Sequence, residues 1–121
     1  MNTINHATDN LILKLSFEFS LEIIAYSEHL ESIKKFNMAN QLFRSGTSIG
    51  ANVHEAQSAE SKADFIHKMK IADKEAHETK YWLLLCKEAT NYPENMELIN
   101  HVESIIKVLG KIISTSKSKS N

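Results

Sequence analysis

Apolar residues along this chain fall into four blocks with helical spacing, separated by short polar links. In the first block Ile12, Leu15, Phe19, Ile23, Tyr26 and Leu30 recur every three or four residues, one stripe at about 100° per residue. Leu13, Phe17, Leu21 and Ile24 make a second stripe on another side of the same helix. A helix of a four-helix monomer needs one apolar face. Two faces predict that this helix is buried twice, once in its own core and once against something else. The second block carries Leu42, Gly46, Ile49, Val53 and Ala56. The third carries Phe65, Met69, Ala72, Ala76, Thr79 and Leu83, with Ile71, Trp82 and Leu85 on a stripe beside it. The fourth, Leu98, Val102, Ile105, Leu109 and Ile112, alternates steps of four and three, the seam of a bundle.

This pattern predicts helices over residues 9–31, 37–57, 62–89 and 94–113. Thr8 or Asp9 is the candidate cap of the first. Ser61-x-x-Asp64 resembles a capping box for the third, with Asp in place of Glu or Gln. The third helix would be about 42 Å long. Pro93 suits the first turn of the fourth. Short links join antiparallel neighbours, so the fold class is all-α, an antiparallel up-down-up-down four-helix bundle in one domain. Residues 1–8 are expected to fray. Residues 114–121 are rich in Ser and Lys, lack apolar residues and are expected to be disordered.

Two features of the middle of the chain go beyond fold class. Gly46 and Gly50 lie one turn apart inside a helical block, and each weakens a helix by about 1 kcal/mol relative to Ala. The apolar period runs through them to Ala56, so they are read as points of close helix packing. Arg44 is the single arginine of the chain, on a polar face with Ser48 and Glu55. Glu75 and Glu78 are set among the apolar stripes of the next helix. A carboxylate in such a place needs a partner, and the planar guanidinium fork suits one. The expected structural ion pair is Arg44 with Glu75 or Glu78.

The polar inventory argues against an active site. Ferritin-like metal bundles use Glu-x-x-His, which is absent; Glu75-x-x-Glu78 stands in its place. The chain has no Gly-rich phosphate loop, no G-x-S-x-G and no C-x-x-C. No cofactor, no metal and no enzymatic activity are therefore expected. An enzyme or metal-binding bundle using Glu55, Glu75 and Glu78 stays open as an alternative, as does a purely structural oligomer. Cys86 is read as a packed thiol. With no apolar signal core and no apolar run longer than residues 81–86, a cytoplasmic protein without a membrane span is expected. A net charge of −1 gives no overall field for nucleic acid. Locally, residues 104–121 hold Lys107, Lys111, Lys117 and Lys119 and no acid, which are candidate nucleic-acid contacts. No aromatic residue is interleaved with these lysines, the pattern that stacks single-stranded bases.

The run Gln41-Leu-Phe-Arg-Ser-Gly-Thr-Ser-Ile-Gly-Ala-Asn52-Val-x-Glu-Ala resembles the 23S rRNA intervening-sequence protein family, also called the S23 or four helix bundle protein family. Ser61-Lys-x-Asp-Phe-Ile-His-Lys, Ile71-Ala72, Lys74-Glu75-Ala76, Glu78-Thr79 and Tyr81-Trp82-Leu83 carry the same resemblance, which covers about residues 10–112. Asp73 departs from it, since the family places an apolar residue there. The resemblance implies a four-helix bundle that assembles into ring-like homopentamers, which suits the second stripe of the first helix, where Leu13, Phe17, Leu21 and Ile24 are the expected oligomer interface. It further implies a non-enzymatic module. One relative, an accessory subunit of diversity-generating retroelements, binds a reverse transcriptase and nucleic acid. RNA or DNA, or a nucleic-acid enzyme, are thus the implied partners beyond the chain itself.

Overall fold

The protein is described by a computed structural model over residues 6–118, with side chains from residue 11 onward. Four helices follow in chain order: α1 His6–Ser32, α2 Phe36–Ala56, α3 Lys62–Glu88 and α4 Met96–Ser118. Each packs on its chain neighbours, and α4 closes the square against α1. Gly46 lies against Ile23 and Gly50 against Ser16, so α2 ascends as α1 descends. Arg44 reaches Glu75 while Glu55 lies beside Lys68, so α3 runs antiparallel to α2 in turn. This is an all-α bundle of four helices. Its core is made by the main stripes: Ile12, Phe19, Ile23, Leu42, Ile49, Phe65, Met69, Leu83, Ile105, Leu109 and Ile112 are all nearly solvent-free.

The links show how the chain turns. Lys34 takes a left-handed φ of 68°. Lys35 N–H then reaches the Leu30 carbonyl at 2.8 Å and Lys34 N–H the Glu31 carbonyl at 2.9 Å. This pair of bonds satisfies the last carbonyls of α1, at the expense of a strained conformation for a lysine. Before α3, Ser61 Oγ accepts from Asp64 N–H at 3.0 Å. The Asp64 carboxylate reaches back past the cap residue and accepts from Glu60 N–H at 3.2 Å.

Two expectations about the C-terminal quarter need correction. Helix α4 begins at Met96, so Pro93 lies in the link and not in the first turn. Asn95 is the reason. Its carbonyl accepts from Ile99 N–H at 3.1 Å, and its buried amide donates to the Leu83 carbonyl at 2.9 Å, fixing where the helix starts. The expected disordered tail is helical through Ser118. The α4 stripe does not stop at Ile112 but continues to Ser116, which is fully buried. A serine is small enough to carry a stripe that composition alone reads as polar. Helix α1 begins at His6, so residues 6–8 are helical instead of frayed and Thr8 and Asp9 lie within the helix instead of capping it, while residues 1–5 lie outside the described residues; the remaining ends differ from expectation by at most one residue, as helix ends commonly do.

Candidate functional site

Three surfaces of the bundle carry chemistry or exposed apolar area. The first is the α2–α3 seam. Arg44 Nη1 donates to Glu75 Oε1 at 3.2 Å, and Nη2 pairs with Glu78 Oε2. Trp82 Nε1–H donates to the same Glu78 oxygen at 3.1 Å. Tyr81 and Trp82 stack at a tilt of 56° with centroids 5.4 Å apart. Below them Thr79 Oγ1 lies 2.8 Å from both the Glu75 carbonyl and Ser45 Oγ. The arginine thus spans both carboxylates instead of choosing one. Its side chain is 52% exposed against 10% for Glu75. Glu55 lies elsewhere, about three turns along α2 from Arg44 and 3.8 Å from Lys68 Nζ. Glu55, Glu75 and Glu78 are therefore not brought together. Among the described residues no group of three or more His, Cys, Asp or Glu is disposed to hold a metal ion.

The second surface is the outer groove between α1 and α2. A Cβ on Gly46 would sit 2.8 Å from both Cγ atoms of Ile23, and one on Gly50 would sit 3.2 Å from the Ser16 carbonyl oxygen. The two glycines let α1 and α2 approach closely. Beside this contact lies an open groove of about 880 Å³. Leu13, Phe17, Gly50 and Ala51 supply its apolar lining, with Lys14 and His54 among the polar residues around it. Phe17 is 65% exposed and Leu21 54%, while Leu13 and Ile24 are half-buried. Phe43, on the same side of α2, is 50% exposed. The middle of the second stripe of α1, Phe17 and Leu21, is thus left uncovered by the chain's own core, while Leu13 packs partly against it.

The third surface is the outer side of α3 and α4. Lys107, Lys111 and Lys117 are exposed on α4. Lys119 lies outside the described residues. Lys117 stands against Lys70 of α3, and its ammonium, as a hydrogen-bond donor and a like charge, disfavours the charged form of Lys70 and lowers its pKa. Sequence spacing gave no sign of this pairing, since the two residues are on different helices. It also missed the contact of His101 Nδ1 with Glu22 Oε1 at 2.8 Å, which ties α4 to α1.

At one end of the bundle Tyr26 donates its hydroxyl hydrogen to the Pro93 carbonyl at 2.9 Å. Burial pushes the buried Cys86 thiol up to about 11. Burial, with Cys86 nearby, raises the Tyr26 hydroxyl above its ordinary value as well. A thiol held protonated in this way is a packing group, not a nucleophile.

Residues 8–112 match the family model described as 23S rRNA-intervening sequence protein. The chain belongs to that family. A crystal structure from Bacteroides thetaiotaomicron, described as a protein with unknown function from the S23 ribosomal protein family, is 42% identical in sequence. It superposes with a TM-score of 0.84, covering 88% of this chain and 98% of the other. No curated protein matches the chain. The four-helix fold is therefore that of the 23S rRNA-intervening sequence proteins, and the neighbour's own description assigns it no activity. No helix among the described residues is long and apolar enough to cross a membrane.

Proposed function

We propose that this member of the family is a cytoplasmic, non-enzymatic module that works as an assembly of its own copies. The α1–α2 face is the proposed subunit contact. One observation carries the reading: Phe17 and Leu21 stand more than half exposed beside an apolar groove, on a helix whose other face is already in the core. A soluble monomer seldom carries such a patch. Burying each large side chain contributes about 1.5–3 kcal/mol, which offsets much of the free energy lost on association. The lysine and histidine around the groove fit the polar rim of an interface. A second copy is the proposed occupant, and the family resemblance supports a ring of five. Sedimentation equilibrium tests this. Wild type should show about five times the 13.7 kDa chain mass. A variant with Phe17→Glu and Leu21→Glu should dissociate while remaining helical. Wild type sedimenting as a monomer at micromolar concentration refutes the reading.

A second reading, nucleic-acid contact, is favoured by the extent of α4. Because the helix runs to Ser118, Lys107, Lys111 and Lys117 are carried on one rigid element with no acid after Glu103. Repetition around a ring would multiply weak patches by avidity. An electrophoretic shift at low salt should weaken when Lys107, Lys111, Lys117 and Lys119 are all changed to Gln. Unchanged binding removes α4 from the contact.

A further inference from the structure

We infer that the outer face of α3 and α4 is a track for a single nucleic-acid strand, with Lys70, Lys74, Lys107 and Lys117 on its phosphates and the Tyr81 ring under one of its bases. The inference rests on the nucleic-acid reading above and specifies its site. Lys70, Lys74, His77 and Tyr81 follow at i, i+4, i+7 and i+11, so they share one outward stripe of α3, and all four are exposed. The rise from Lys70 to Tyr81 is about 17 Å, roughly five nucleotides at the duplex rise of 3.4 Å. The Lys80–Glu103 bridge at 3.3 Å sets the register of antiparallel α3 and α4, which brings the last turn of α4, with Lys117, beside Lys70. Two ammonium groups held together repel, and a phosphate between them removes the repulsion. The acids along the track are engaged. Asp73 lies 3.6 Å from His77, and Glu103 lies 3.3 Å from Lys80.

Tyr81 supplies the aromatic surface that the lysine run of α4 lacks. The residue is 57% exposed. Trp82 braces the ring, Glu78 fixes Trp82 through the indole N–H, and Arg44 fixes Glu78. A ring both open to solvent and held from behind is a stacking platform that accepts any base. The Arg44–Glu78–Trp82 chain then has a positioning role besides joining two helices.

The test is fluorescence anisotropy of the full-length protein with labelled oligouridine, oligothymidine and a mixed-sequence DNA duplex over a salt series. Changing Lys70→Gln with Lys117→Gln should weaken binding and make the log–log salt slope shallower by about 1.4, at about 0.7 per phosphate contact. Tyr81→Ser should weaken single-strand binding by about five-fold or more, leaving the salt slope and duplex binding unchanged, while Tyr81→Phe should bind like wild type. Preference for one oligomer over the other identifies RNA or DNA as the source of the strand. If wild type binds and these variants bind equally well, the track is wrong and the broader nucleic-acid reading survives. If wild type binds none of the three, both fall. If Tyr81→Ser lowers the sedimenting mass, the ring belongs to a contact between copies and the track is overturned. Capture by phosphatidylserine vesicles with no oligonucleotide binding overturns it too, in favour of a membrane surface.

Discussion

Gly46→Ala isolates the closeness of the α1–α2 contact, and its sign is set by two opposing effects. Alanine is favoured over glycine in a helix interior by about 1 kcal/mol. Against this, the new methyl would sit 2.8 Å from Cγ1 and Cγ2 of Ile23 and 3.2 Å from its Cβ. Ile23 is fully buried and β-branched, so its χ1 has little freedom to swing aside, and the helices must part instead. Overpacking of this kind destabilises by about 1–3 kcal/mol, so the net effect is a loss of up to about 2 kcal/mol. Gly110 is the internal control. A methyl there meets nothing within 4 Å, so Gly110→Ala should gain the full propensity term, about 1 kcal/mol. The gap between the two variants measures the clash, because propensity is common to both. Urea unfolding followed by helical circular dichroism gives both values. Chain concentration is held fixed, so that any association between copies contributes equally to every variant. In an Ile23→Ala background, which removes both Cγ atoms, Gly46→Ala should turn from destabilising to stabilising, a coupling of about 1 kcal/mol or more. Equal stabilisation by Gly46→Ala and Gly110→Ala would refute the close-packing argument outright.

Other outcomes follow from the same geometry. Arg44→Ala should cost about 1 kcal/mol, not the 3–5 kcal/mol of a buried pair, because its side chain is half exposed; a loss above about 3 kcal/mol in urea melts would show the pair is shielded. Asn95→Ala leaves the Leu83 carbonyl without its buried donor and should lower stability by about 1–3 kcal/mol, whereas an unchanged melting temperature would mean water replaces the amide. Cys86 and Tyr26 both hold their protons more tightly folded than unfolded. Their contribution to stability is constant below pH 9.0, so stability should fall as pH rises from 9.0 through about 11, with a smaller fall in Cys86→Ala; a flat alkaline profile contradicts this.

The sequence by itself determined the number, type and order of helices, because a period of 3.6 is a local property that each block of ten or more residues states on its own. It also determined which side of each helix is core. Ile12, Phe19 and Ile23 on α1 and Leu109 and Ile112 on α4 are buried where the stripes put them. Dense motif residues carried the family. Where α4 stops was not legible. Ser116 is buried by what stands across from it, and a Ser/Lys composition describes solvent affinity without describing neighbours. The candidate surfaces divide in the same way. One arginine facing two acid-bearing stripes announced the seam, but only packing made Arg44 span both carboxylates with Trp82 behind Glu78. The wheel put Phe17 and Leu21 on a face away from the core, but only packing decided that these two stand open while Leu13 and Ile24 of the same stripe are half-covered. The meeting of Lys70 with Lys117 is decided by register between α3 and α4, and register depends on every contact along both helices at once.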